Sequence, residues 1–313
     1  LEFAFLNQSK IQIFQLHEDA LLPVCFYEFE PKNRISLHLH AMDLTGDGRD
    51  ELMVTTGCPV ISGDTRTTEM DSYILGVENR RLFPLSENLP FYLRVIADHS
   101  GKPVLLGQKK GDYQAYNGNI VEMHLDASGG INAEAYGPAG GIHSVYQFSL
   151  IPEFPEHLMI LEPSGAMSVY SGPTGKIVSA TGADYGQFEI LSYPIASGDL
   201  EFIGGFNNKK TFTEYPTARR LVMVKDYGSQ VFTINKQRPA GWNVNRLKNL
   251  LSEQKNQDSL VAFEWNGKTI RQSWESEKLS KDILDFSFMP GKDRDLIFLL
   301  VKDTQGYAVE QIQ

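Results

Sequence analysis

The sequence predicts an all-β chain of the β-propeller class, with about six to seven four-stranded blades, and three observations carry that expectation. Short apolar or alternating runs recur between Gly, Asn, Asp and Pro turns at intervals of about 8 to 14 residues, as in a sandwich, barrel or propeller. The runs group roughly by fours into repeats of about 40 to 50 residues, which selects a propeller over a sandwich. The first group lacks a leading strand and the last lacks a final one. Strands from both termini are therefore expected to complete one shared blade and so remove an open sheet edge.

The units fall near residues 1–30, 35–88, 91–137, 142–184, 186–276 and 282–313 of a single domain of 313 residues. In the first, Phe3–Asn7, Lys10–Leu16 and Leu22–Phe29 read as strands. The second is the best formed, with Ser36–Met42, Glu51–Thr56, Ser72–Glu78 and Arg81–Leu85. The third follows as Tyr92–Asp98, Pro103–Gly107, Gly118–Leu125 and Asn132–Tyr136. In the fourth, Ser144–Ile151, His157–Leu161, Met167–Tyr170 and Ile177–Ala180 are separated by Gly- and Pro-containing turns.

The fifth unit is stretched. Phe188–Tyr193 and Phe202–Phe206 precede a polar segment, and Arg220–Lys225, Gln230–Asn235, Ser259–Trp265 and Thr269–Trp274 follow. Within it Val244, Leu247, Leu250 and Leu251 recur at helical spacing, so Trp242–Gln257 is expected to be one short helical insertion. The sixth unit offers Ile283–Met289, Asp295–Val301 and Tyr307–Ile312.

Composition narrows the function. A net charge of −10 with a pI near 5.2 leaves no basic stripe to neutralise phosphates, which argues against nucleic acid as a partner. No apolar run approaches the ~18 residues of a membrane span. The start, Leu1-Glu2-Phe3-Ala4-Phe5, has neither an initiator Met nor a signal-peptide pattern, and reads as a mature, processed or trimmed chain. Two cysteines, Cys25 and Cys58, set no disulfide framework and are expected as free thiols, with one bridge between blades as the alternative.

The most specific stretch is Asp43-Leu44-Thr45-Gly46-Asp47-Gly48-Arg49-Asp50-Glu51, followed directly by the apolar Leu52-Met53-Val54. Oxygen-bearing side chains stand at its first, third, fifth and ninth positions, and two glycines supply tight turning. A hard cation needs about six to eight oxygens, so a loop must curl back on itself to deliver several. The same residues also make an ordinary hairpin turn, and Thr45 removes one charge at the third position.

This loop, with its acidic ninth residue and a strand after it, resembles the calcium loop of FG-GAP/VCBS repeats, the blade unit of integrin-type propellers. Leu89-Pro90-Phe91-Tyr92-Leu93-Arg94-Val95, Val104–Lys109 and Leu260–Gly267 are similar in pattern. The resemblance implies a propeller of bacterial envelope type. It also implies one Ca²⁺ site formed by Asp43, Thr45, Asp47, Arg49 and Glu51, a protein partner in an envelope or extracellular assembly, and a periplasmic, outer-membrane-associated or extracellular location. Loops around Asp98, Pro152, Asp226 and Pro290 do not repeat the acidic pattern.

Other constellations are weaker. His38 and His40 alternate on one strand and share a face, either as a metal pair or as polar residues near a rim. Asp64, Glu69 and Asp71 read as solvated surface. No zinc, haem, nucleophile-elbow or phosphate-loop motif is present in the sequence. The leading expectation is a non-enzymatic interaction or scaffold module. The rival is a carbohydrate-binding or carbohydrate-active propeller, with Asp98, Asp184, Asp226 and Trp242 at a central funnel; otherwise Trp242, Trp265 and Trp274 are expected as inter-blade core.

Overall fold

The computed structural model describes residues 2–7, 9–18, 20–30, 34–62, 65–100, 102–111, 116–126, 129–136, 142, 144–162, 164–172, 174–183, 185, 189–192, 214–217, 221–224, 230–236, 257–289, 296–303 and 306–312. Among them the secondary structure is entirely β, in six successive antiparallel sheets of three to five strands and one strand pair.

The first sheet is β1 (Glu2–Leu6), β2 (Lys10–His17) and β3 (Ala20–Glu28). In the second, β4 (Ile35–Met42), β5 (Glu51–Ser62), β7 (Ser72–Glu78) and β8 (Arg81–Leu89) lie in order, with β6 (Thr65–Met70) paired to β5 off that path. The third is β9 (Phe91–Ala97), β10 (Pro103–Lys109), β11 (Asn117–Leu125) and β12 (Ile131–Ala135). The fourth is β13 (Phe148–Leu150), β14 (His157–Leu161), β15 (Met167–Ser171) and β16 (Lys176–Ala180). After the pair β17 (Glu189–Ser192) and β18 (Glu214–Thr217) comes the fifth sheet, β19 (Val222–Val224), β20 (Gln230–Asn235), β21 (Ser259–Trp265) and β22 (Ile270–Glu275). The sixth is β23 (Asp282–Met289), β24 (Leu296–Asp303) and β25 (Gly306–Ile312).

Turn chemistry sets the hairpins. Asn79 and Arg80 have φ of 50° and 58°, the paired positive values of a tight turn that matches strand twist, and they join β7 to β8. Between β21 and β22, Asn266 Oδ1 accepts the Lys268 and Thr269 N–H groups at 3.0 and 2.8 Å.

The sheets divide between two compact units, the first three in one and the last three in the other. In the first unit, Ile11 and Ile13 of β2 pack with Leu52 and Val54 of β5 and with Tyr73 and Leu75 of β7. Met53 and Ile74, which alternate with those residues, pack instead with Leu93, Leu105 and Met123 of the third sheet. Strands buried on both faces lose the apolar–polar alternation of a half-exposed sheet and read as continuous apolar runs. In the second unit, Phe232 and Ile234 of β20 and Leu260 and Ala262 of β21 pack with Ile283, Phe286, Leu299 and Val301 of the sixth sheet. Each such fully buried large side chain contributes about 1.5–3 kcal/mol. Small successive antiparallel meanders that share cores within each unit are propeller blades, six among the described residues.

Several expectations change. Among the described residues the terminal strands lie in three-stranded sheets of their own, β1–β3 and β23–β25, and the expected shared blade is not supported. Short local hairpins close at lower entropic cost than a pairing between distant segments. β6 occupies part of what reads as an acidic loop, and β18 lies in the polar segment of the fifth unit. That unit separates into the pair β17–β18 and a complete four-stranded sheet. The predicted helix lies outside the described residues, except for Gln257, and so does Phe202–Phe206.

Candidate functional site

The acidic stretch joins β4 to β5, whose pairing begins at Met42 opposite Glu51. Gly46 and Gly48 have φ of 76° and 82°, and a Cβ on either would meet nothing within 4 Å. The requirement for glycine is therefore conformational rather than steric. The curl aims a run of amides inward. Asp43 Oδ1 accepts the N–H of Gly46 at 2.7 Å and of Asp47 at 3.1 Å, and Asp43 Oδ2 accepts that of Gly48 at 2.8 Å.

Glu51 is 5% exposed. Its Oε2 accepts the N–H of Leu44 at 2.7 Å and of Thr45 at 3.2 Å, while the Thr45 hydroxyl donates to Oε1 at 3.3 Å. Asp47, at the exposed tip, accepts the N–H of Arg49 at 2.9 Å. The structure thus brings Asp43, Thr45 and Glu51 into one network and leaves Asp47 and Arg49 on the outside of the turn. The oxygens at positions one and nine are turned onto the loop's own donors. Among the described residues no three His, Cys, Asp or Glu side chains form a metal-holding group.

His38 and His40 share a face, as their alternation requires. Their rings lie 6.4 Å apart and nearly parallel at 22°, and His40 is buried. Cys25 and Cys58 are both free thiols, and burial, followed by the charge of Glu2, pushes the Cys25 thiol up. Asp98 accepts the Ser100 N–H at 2.8 Å and hydroxyl at 2.7 Å in a local turn. Asp184, Asp226 and Trp242 lie outside the described residues, as does Asp64. Trp265 is buried beside Phe154 and His157, and the half-buried Trp274 packs on Phe232 at 6.0 Å at the edge of the core.

Asp71 is not solvated surface. It forms an ion pair with Arg34, with side chains 16% and 3% exposed. Arg34 Nε donates to the Glu30 carbonyl at 3.0 Å, and its guanidinium lies 5.1 Å from the Tyr73 ring centroid. A guanidinium that is stacked, forked and charge-paired in this way supports a buried charge that an isolated one would not. Burial pushes the Tyr73 phenol up to about 12, with Arg34 pulling it down and Asp71 pushing it up. A second buried pair, Lys236 with Asp258, lies where β20 ends and β21 begins. No sequence motif marks either pair.

No family model matches this chain, and no curated protein does. Solved structures match over nearly its full length at low identity. Sqt1 of Saccharomyces cerevisiae aligns with 97% of this chain and 79% of its own, at 9% identity and a TM-score of 0.42. The WD40 domain of Toxoplasma gondii coronin aligns with 97% of this chain and 63% of its own, at 13% identity and a TM-score of 0.41. BBS1N, in its complex with ARL6DN, aligns with 99% of this chain and 74% of its own, at 11% identity and a TM-score of 0.39.

Proposed function

We propose that this chain is an FG-GAP/VCBS-type propeller serving as a protein-docking module in a bacterial envelope or extracellular assembly, with no catalysis of its own. The observation that carries the reading is on the end strands of three sheets. Leu22 and Phe26 on β3 are 50% and 56% exposed, Ile177 and Val178 on β16 are 53% and 45%, and Tyr307 on β25 is 68%. Large apolar and aromatic side chains left in water on rigid sheets are the raw material of a protein contact. Several acidic groups that would otherwise be candidates for chemistry are engaged in holding the fold: Asp43 and Glu51 on loop amides, Asp71 on Arg34, Asp258 on Lys236. The calcium that the resemblance implies has no part in this function.

The test is cross-linking of the tagged chain in bacterial envelope fractions, beside the variants Phe26→Asp and Ile177→Asp. A defined partner captured by the parent chain and lost in one variant is the expected result. Capture indifferent to both substitutions, or turnover of chromogenic glycosides by the pure protein, overturns the reading in favour of the carbohydrate rival.

A further inference from the structure

We infer that the Asp43–Glu51 loop is closed by its own amide groups and the Thr45 hydroxyl in the place a cation would take, so the second sheet forms without metal. A carboxylate offers about four lone-pair positions. Asp43 commits three, two on Oδ1 and one on Oδ2, to the N–H groups of Gly46, Asp47 and Gly48. Glu51 likewise commits three, to the N–H groups of Leu44 and Thr45 and to the Thr45 hydroxyl. One position remains on each, where calcium asks for about six to eight oxygens around one point.

The third position makes the difference. An aspartate there would add a charge and two acceptors, whereas the Thr45 hydroxyl spends its proton on Glu51. Glu51 is buried, and a buried carboxylate is stable only when donors or a cation compensate it. The two backbone N–H groups and one hydroxyl supply that compensation. The positive ends of backbone dipoles stand in for the ion, an arrangement like the amide nests that hold anions elsewhere. The loop is thus an anion clamp turned on its own side chains. Asp43 holds the tip through Gly46–Gly48, and Glu51 holds the entry through Leu44 and Thr45.

The experiment is thermal unfolding of the full chain in excess CaCl₂ and in EDTA, for the parent, Asp43→Ala and Glu51→Gln. The parent is expected to melt at the same temperature in both. Each variant is expected to melt lower by about 4 °C or more, by the same amount with calcium as without. A parent melting temperature that rises in calcium overturns the inference, and so does an Asp43→Ala variant as stable as the parent. Should the variants fail to fold, calorimetric titration of the parent with CaCl₂ decides: a flat trace is expected, and a saturable one-site heat overturns it.

Discussion

Lys236 Nζ lies 2.7 Å from Asp258 Oδ2, with the two side chains 4% and 2% exposed. The same carboxylate oxygen accepts the Ile283 N–H at 2.9 Å, so one ion pair ties the β20 and β21 junction to the first strand of the sixth sheet. Removing one partner strands the other charge in the interior. Lys236→Met should cost about 3–5 kcal/mol in urea unfolding. Adding Asp258→Asn should recover most of that loss, since a neutral amide still accepts from Ile283. A double variant no more stable than the single one would refute this account.

The Arg34–Asp71 pair depends on the shape of the guanidinium as much as on its charge. Arg34→Lys keeps the charge but cannot stack on Tyr73 while also reaching Glu30 and Asp71. We expect a loss of about 1–3 kcal/mol, measured in the same denaturation experiment. Equal stability would mean that charge alone suffices.

Glu275 links stability to acid. Burial pushes its carboxyl up, but hydrogen bonds from Ser259 at 2.6 Å, Gln272 at 2.9 Å and Asn235 at 3.5 Å, with the Lys278 charge, outweigh burial and hold it below its ordinary 4.5. A depressed folded-state value means that this contribution is present above pH 4.5 and is lost as pH falls through the lower folded value. Ser259→Ala should raise the carboxyl titration followed by NMR and flatten the acid limb of stability. An unchanged titration would remove Ser259 from the explanation.

At the alkaline end, burial and then the hydrogen bond to Glu162, 2.7 Å long, push the Tyr170 phenol up to about 12, and burial does the same for Tyr73. Both folded values are raised, so their contribution is complete below the ordinary value of 10 and fades as pH rises through about 12. Ultraviolet titration of the native protein should show Tyr73 and Tyr170 among the late-ionising tyrosines. Tyr170→Phe should remove one of them.

Thr233 offers a substitution of opposite sign. Its residue is fully buried, and its hydroxyl has no hydrogen-bond partner among the described residues. Thr233→Val should therefore stabilise the chain, by up to about 1 kcal/mol, because a desolvated hydroxyl is replaced by a methyl of similar shape. A lower melting temperature would show that the hydroxyl is satisfied after all.

Strands bounded by strong turn residues were legible in the sequence. Ser72–Glu78, His157–Leu161, Gln230–Asn235 and Ser259–Trp265 have the bounds that pattern alone predicts. β6 was not, because Thr65-Arg66-Thr67-Thr68-Glu69-Met70 lacks apolar alternation and becomes a strand by pairing with the far half of β5. The ion pairs were hidden for a different reason. Arg34 and Asp71 are 37 positions apart, and nothing local distinguishes a buried acid from a solvated one. The Asp43 loop was half legible. Its spacing shows where oxygens cluster, but what meets them depends on the backbone angles at Gly46 and Gly48, which turn the amides inward.

The alternation of Leu52 and Val54 with Met53, and of Tyr73 and Leu75 with Ile74, makes the second sheet a party wall. Taking it down opens the rooms on both sides at once. Amide exchange at Ile13, Met53 and Leu105 should accordingly report a single opening free energy, and this half of the chain should come apart in one cooperative step rather than sheet by sheet.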